Sequence, residues 1–332
     1  MNTFHEAEYY QRLPEGDFIC RLCPQQCRIA VGKTGFCGVR INRDGKLETI
    51  NFGQVSSIGL DPIEKKPLYH FYPGRLILSV GTVGCNLACR FCQNWQISRE
   101  KSPTKSMTPE KLAELADELR QEKDNIGVAF TYSEPGVWYE FLTETMPQLR
   151  EGGLKNVLVT NAFLEPKPWR NLLKWTDAAN IDLKGFDDSY YQRLCGGKLG
   201  PVLENIKTAV SLIHVELTTL IIPGENDQPE QIQKMAQWIA ALDPEIPWHL
   251  SRYFPNYRLM KPATPLTTME ESLAIAKGYL KHVYLGNTGK ANHTYCPECG
   301  SLIVERDGFQ TRIFNMNVCR ECGKTVRIIK GT

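Results

Sequence analysis

The sequence predicts an α/β fold from three observations. Between about residues 76 and 290, short β-branched runs alternate with amphipathic helical patterns; the runs approach continuous apolarity; and polar or cysteine-rich loops follow them. Such apolarity fits a parallel sheet buried on both faces. The strands are expected at 76–80, 126–131, 156–160, 179–183, 215–222, 248–253 and 282–285.

The intervening helices follow from spacing. Thr108 suits an N-cap, Pro109 the first turn, and Leu112, Leu115, Ala116 and Leu119 share one face. Leu203, Ile206, Val210 and Ile213 form a second stripe, and Ile232, Met235, Ala236 and Ile239 a third. Thr268 with Glu271 reads as a capping box before residues 273–280. Repeated βα units of this kind build either an open doubly wound sheet or a barrel, and periodicity does not separate the two. Both put chemistry at the C-terminal ends of the strands, where GCNLACRFC, YSEP, NAF and KGF all fall. Flanking this core (76–290) are segments 1–75 and 291–332, each with four cysteines and too little apolar sequence for a large core, so that metal would substitute for one.

Composition narrows the function classes. Of 332 residues, 42% are apolar and 23% charged, as in a folded protein. Lys and Arg number 39 against 37 Asp and Glu, and a net charge of +2 argues against a nucleic-acid partner. Apolar runs such as 76–80 are far shorter than the roughly 20 residues of a membrane span. The start, MNTFHEAEYY, lacks a signal pattern, so a cytoplasmic location is expected. Twelve cysteines are then anomalous, because a reducing compartment does not staple chains with disulfides. Their clustering reads as metal sites.

Cys85, Cys89 and Cys92 form a CxxxCxxC within TVGCNLACRFCQNW, just beyond an expected buried strand. Three thiolates on one short loop can hold three corners of a 4Fe-4S cubane and leave one iron open for a substrate or cofactor. The alternative is a zinc site completed by a residue elsewhere.

With Phe91 directly before its third cysteine, the triad resembles the signature of the radical S-adenosylmethionine (SAM) superfamily. TYSEP looks like that superfamily's element for the methionine amino group, and IDLK resembles a segment of pyruvate formate-lyase-activating enzymes. DPIEKKPLYHFYPG, SVGTVGCNLACRFCQNWQIS and HLSRYFP resemble the radical enzymes of the AmmeMemoRadiSam system. The resemblance implies a partial (β/α)6 TIM-type barrel in which the open iron binds SAM. Reductive cleavage to methionine and a 5′-deoxyadenosyl radical would follow, and the radical would abstract hydrogen from a substrate in the barrel mouth. It places Phe91 near the adenine, Glu134 beside the methionine ammonium, and Thr160, Asn161, Asp182 and Lys184 around the ribose and carboxylate, with His249 a further candidate. It also implies an electron donor such as flavodoxin or ferredoxin, and AMMECR-type and MEMO-type proteins in the same pathway.

Plainer readings stand beside these. Glu134 also suits a helix N-terminus, Asp182 and Lys184 a strand-end ion pair, and His249 a hydrogen-bonded core position. Val159 stands where related activating enzymes carry Asp, which puts a monovalent-cation site in doubt. Cys195, in RLCGGKLG, is a catalytic candidate that could donate a hydrogen atom or relay a radical, or else a small buried residue beside a Gly-rich turn.

CPECG and CRECG, with Cys296, Cys299, Cys319 and Cys322, read as a zinc ribbon around the hairpin-like SLIVERDGFQTRIF, a rubredoxin-like iron being the alternative. Cys20, Cys23, Cys27 and Cys37 suit zinc or an auxiliary iron-sulfur cluster, and DPIEKKPLYHFYPG either a lid over the barrel mouth or a connector. The functional expectation is a radical SAM enzyme acting on a small-molecule or peptide substrate. A glycyl-radical activase and a noncatalytic metal-binding module are the alternatives.

Overall fold

The computed structural model describes residues 5–100, 102–308, 310–314 and 317–330. Its centre is one eight-stranded sheet: β1 (Ser57–Pro62), β2 (Leu76–Gly81), β3 (Asn125–Phe130), β4 (Lys155–Thr160), β5 (Ala178–Asp182), β6 (His214–Ile221), β7 (Trp248–Arg252) and β8 (Val283–Gly286). Spatial order follows chain order throughout. β1 runs antiparallel to β2, and every later neighbour is parallel. A doubly wound sheet would reverse its order at a switch point. Unreversed winding with two edge strands, β1 and β8, is a partial barrel.

Six crossovers carry the helices α1 (Pro109–Lys123), α2 (Tyr139–Glu151), α3 (Pro166–Leu173), α4 (Leu199–Val210), α5 (Pro229–Leu242) and α6 (Leu266–Lys277). Thr108 caps α1, its hydroxyl accepting from the Lys111 amide at 3.3 Å, while Leu112 and Ala116 face the core. The capping box expected at Thr268 does not form. α6 begins earlier, after Pro265, and the Thr268 carbonyl instead accepts a hydrogen bond from Ser272 Oγ at 2.8 Å.

The inner face of the sheet is layered, because alternate residues of a strand point the same way. Asp182, Thr218 and Ser251 line an upper cavity, and Asn180, Glu216 and His249 lie one layer below on the same strands. The loop between β1 and β2 meets this lower layer. Asn180 Nδ2 donates to the Pro67 carbonyl at 2.8 Å, and the Tyr69 and His70 amides donate to Glu216 at 2.9 and 2.7 Å. The expected lid is therefore a floor: pairing Pro62 with Leu76 puts this loop at the N-terminal end of the barrel, away from the mouth.

The N-terminal segment forms two small antiparallel sheets whose Phe18, Leu22, Ile29 and Leu47 join the barrel core. Buried Arg40 pairs with Glu140 of α2. The C-terminal segment forms a three-stranded sheet around Ile303, Val304, Val326 and Ile328, and residue 309 of its hairpin lies outside the described residues. Among the described residues no helix is long and apolar enough to cross a membrane.

Candidate active site

A cavity of about 380 Å³ opens at the C-terminal ends of the strands. Cys85, Cys89, Cys92 and Phe91 from the loop after β2 line it, as do Glu134 after β3, Thr160 and Asn161 at the end of β4, and Asp182 and Lys184 at β5. Residues from four separate loops thus converge, as parallel βα winding dictates.

Glu134 is the buried anion of the site, only 3% exposed. Its Oε1 accepts from the Gly136 amide at 2.8 Å and Thr160 Oγ1 at 2.6 Å, and its Oε2 from the Asn161 amide at 2.9 Å. Burial raises its pKa, against the pull of those three donors. Asn161 Nδ2 donates to Asn86 Oδ1 at 3.0 Å and approaches Cys85 Sγ at 3.8 Å, which links the Glu134 cradle to the cysteine loop. Lys184 Nζ sits 2.8 Å from Asp182 Oδ2. Burial opposes the charge of Lys184, yet Asp182 and its other neighbours hold its pKa well above the usual lysine range.

The triad loop is irregular, and its own backbone groups are tied down by neighbours. The Ala88 and Arg90 amides donate to the carbonyls of Cys195 and Leu194 at 2.7 and 2.8 Å, and the Arg258 amide donates to the Arg90 carbonyl at 2.8 Å. Asn86 Nδ2 donates to the Phe163 carbonyl at 2.6 Å. Three thiols on one loop, lining a cavity large enough for a small molecule, suit a cluster with an open iron.

Residues 79–239 match the Radical SAM superfamily. An uncharacterized protein of Methanocaldococcus jannaschii is 41% identical over 98% of this chain and 99% of its own length. This chain belongs to the radical SAM superfamily. The pyruvate formate-lyase-activating enzyme of Clostridium pasteurianum is 29% identical over 47% of this radical SAM chain and 66% of its own length. A crystal structure of a radical SAM methyltransferase from Sphaerobacter thermophilus superposes at TM-score 0.51 with 16% identity, covering 70% of this chain and 71% of that one, a likeness of fold.

Two expected residues lie apart from the cavity of this radical SAM enzyme. His249 is in the layer below, where its Nε2 meets Glu216 Oε2 at 2.7 Å and its ring packs on Tyr69 and Tyr284. As the second residue of β7 it is too near the strand's N-terminal end to reach the mouth. Cys195 closes a turn of π-helix, Tyr191–Cys195, and is fully buried behind the triad loop against Cys89 rather than lining the cavity. The geometry matches its plainer reading.

The reverse also holds: Lys65, Lys66 and Tyr132 line the cavity without having been singled out. Lys66 Nζ and Tyr132 Oη converge on Asp61 Oδ2 at 2.9 and 3.1 Å, and burial pulls the Lys66 pKa below the usual lysine range. Tyr132 stood in plain view inside TYSEP. Asp61 and Lys66 lie in DPIEKKPLYHFYPG, but nothing in that motif places them at the cavity, because their position depends on how β1 pairs.

The C-terminal quartet closes tightly. Cys296 and Cys322 sulfurs are 3.6 Å apart, as are those of Cys299 and Cys319, and all four lie within 4.8 Å of one another. One tetrahedral ion with metal–sulfur bonds of about 2.3 Å needs ligand spacings of roughly 3.8 Å, which this set meets.

Proposed function

We propose that Cys85, Cys89 and Cys92 hold the 4Fe-4S cluster of this radical SAM enzyme and that Glu134, Thr160, Asn161, Asp182, Lys184 and Phe91 bind SAM beside it. When bound, the pair supplies one-electron cleavage of SAM to methionine and a 5′-deoxyadenosyl radical that abstracts hydrogen from a substrate. One observation carries the reading: all nine residues face a single cavity at the strand C-termini.

The chain's own groups divide the work. Glu134 presents a buried carboxylate suited to an ammonium, already oriented by three donors. Asp182 suits ribose hydroxyls as an acceptor, and Lys184 a carboxylate as a cation. Phe91, 5% exposed, offers an apolar face to a purine ring. The floor formed by residues 63–75 closes the lower end, so that substrate enters from the mouth and water is restricted where geometry must be fixed.

The likeness to a pyruvate formate-lyase-activating enzyme supports a second reading, an activase that acts on a glycyl-radical partner protein. AMMECR-type and MEMO-type partners, a flavodoxin or ferredoxin donor and a cytoplasmic location belong to the first reading through the sequence resemblance and the reduced thiols it needs. For the C-terminal quartet we propose zinc, supported by the tetrahedral sulfur spacing.

The test is anaerobic reconstitution of wild type and Cys85→Ala, with 5′-deoxyadenosine measured after addition of reductant and SAM. Wild type produces it and the variant does not. Equal yields from both would refute the role of the triad.

A further inference from the structure

The N-terminal cysteines are neighbours, but they are spaced unlike the C-terminal four. The Cys20 amide donates to the Cys27 carbonyl at 3.0 Å, and the thiols of Cys20, Cys37 and Cys27 all act electrostatically on Cys23. Among the described residues, however, only the C-terminal quartet brings three or more ligand atoms within 4.8 Å of one another. Cys20, Cys23, Cys27 and Cys37 stay wider, and so do Cys85, Cys89 and Cys92. A single tetrahedral ion would draw its sulfurs to roughly 3.8 Å. A cubane sets them on a larger tetrahedron, since each sulfur binds a different iron. The N-terminal four thus fall outside the compact spacing of a single-ion site, as the triad does.

We propose that Cys20, Cys23, Cys27 and Cys37 hold a second four-iron cubane, fully ligated by cysteine, that passes electrons to the cluster on Cys85, Cys89 and Cys92. The transfer half rests on the reading of the triad given above.

The surroundings suit an anionic cluster. Arg40, 1% exposed, directs Nη1 toward Cys20 Sγ at 3.9 Å, and the Phe36 amide donates to Cys27 Sγ at 3.3 Å. Such donors tune the potential of a cluster, with Arg40 sharing its charge between Cys20 and Glu140. The position suits transfer. A Cβ added at Gly84 would lie 2.8 Å from the Cys37 carbonyl oxygen and 2.6 Å from the Val39 side chain. The two cysteine segments therefore touch one residue away from Cys85. Gln25 Nε2 donates to the Asn86 and Gly196 carbonyls at 2.9 and 2.7 Å, and Arg99 Nη1 bridges the Phe36 and Cys85 carbonyls at 3.2 and 3.3 Å. Four cysteine ligands leave no iron open to substrate, so the role left to this cluster is electron transfer. The balance is simple: a one-electron donor protein of the ferredoxin or flavodoxin type reduces the N-terminal cluster from 2+ to 1+. It returns to 2+ as the triad's cluster takes the electron, with no bond made or broken. Zinc, which has no redox chemistry, could not serve.

The test uses the full chain, reconstituted anaerobically, with iron, sulfide and zinc counted and spectra recorded by Mössbauer and electron paramagnetic resonance. Wild type is expected to bind about eight irons and the Cys85→Ala/Cys89→Ala/Cys92→Ala variant about four, as a reducible cubane whose signal SAM does not perturb. A triad variant that folds yet holds zinc and no iron would overturn the proposal. Transfer is read from Cys27→Ser per triad cluster present, counted from the SAM-perturbed signal: on that basis 5′-deoxyadenosine formation driven by flavodoxin falls at least tenfold, while formation driven by titanium citrate is unchanged. Equal losses with both donors, or no loss with either, would overturn the relay. A wild type that binds eight irons and never cleaves SAM would instead sink the reading of the triad and leave the second cluster standing.

Discussion

Replacing Glu134 with Gln probes the proposed SAM cradle with almost no change of shape. In the native site two donors reach Oε1 and a third reaches Oε2, so both oxygens are committed as acceptors. An amide has one acceptor oxygen. Its NH2 group must face at least one of those donors, and a buried donor left unpaired costs about 1–3 kcal/mol of stability. If the carboxylate holds the SAM ammonium, losing that charge-assisted bond removes a further 1.5–3 kcal/mol or so of binding, weakening SAM roughly 10- to 150-fold. The pH dependence adds an independent check. Burial raises the Glu134 pKa, so the folded chain holds this proton more tightly than the unfolded one, whose value is the ordinary 4.5. Ionisation therefore costs stability as pH rises above 4.5, and the amide abolishes that slope. The assays are anaerobic equilibrium binding of SAM to reconstituted protein, with thermal unfolding across pH as companion. A Glu134→Gln enzyme that binds SAM within twofold of wild type would refute the assignment.

Other substitutions separate the site from its scaffold. His249→Gln is expected to lower stability by leaving Glu216 without one partner while SAM affinity stays within twofold; a tenfold loss of affinity would return His249 to the site. Arg306, 2% exposed, pairs with Glu64 and donates to the Tyr69 and Asn292 carbonyls, so Arg306→Ala should cost about 3–5 kcal/mol in thermal unfolding and open the C-terminal segment to limited proteolysis. Burial lowers His282 from 6.5 to about 4, so its contribution to stability is complete above pH 6.5 and is lost as pH falls toward 4. That displacement is worth roughly 3 kcal/mol, and His282→Gln should flatten the acid limb of the stability profile accordingly.

What was legible in the sequence is what is local. β2 and β3 lie within one residue of the runs at 76–80 and 126–131, because both are buried on two faces and read as nearly continuous apolar stretches. The triad, TYSEP and the C-terminal knuckles were legible because their chemistry depends on short spacings. Pairing was not. β1 contains Gly59 and Pro62 and joins the sheet only as an antiparallel edge, a place sequence pattern does not announce. The floor depends on Glu216 meeting the amides of Tyr69 and His70, 147 and 146 residues away. His249 was a candidate through the resemblance of HLSRYFP, but the inner face has two layers and it occupies the lower one. Cys195 was open to two readings, a radical relay or a small buried residue beside a Gly-rich turn, and the π-turn that carries it behind the loop fits the second.

The N-terminal segment, although it reads as a separate metal-binding appendage, behaves as part of the active centre. A loop without regular secondary structure can hold a cluster only if its backbone is fixed from outside, or the order its ligands need is lost to chain entropy. The turn ending at Cys195 holds one flank of the triad loop, and the N-terminal segment holds the other through Gln25 and through Arg99, which donates to the Phe36 and Cys85 carbonyls. Buried Arg40 then joins that segment to α2 through Glu140. Loosening residues 20–40 would therefore disturb Cys85 before it disturbed the barrel strands. It follows that a chain deleted up to β1 should keep its parallel sheet and lose cluster occupancy at the triad, whatever metal the N-terminal cysteines carry.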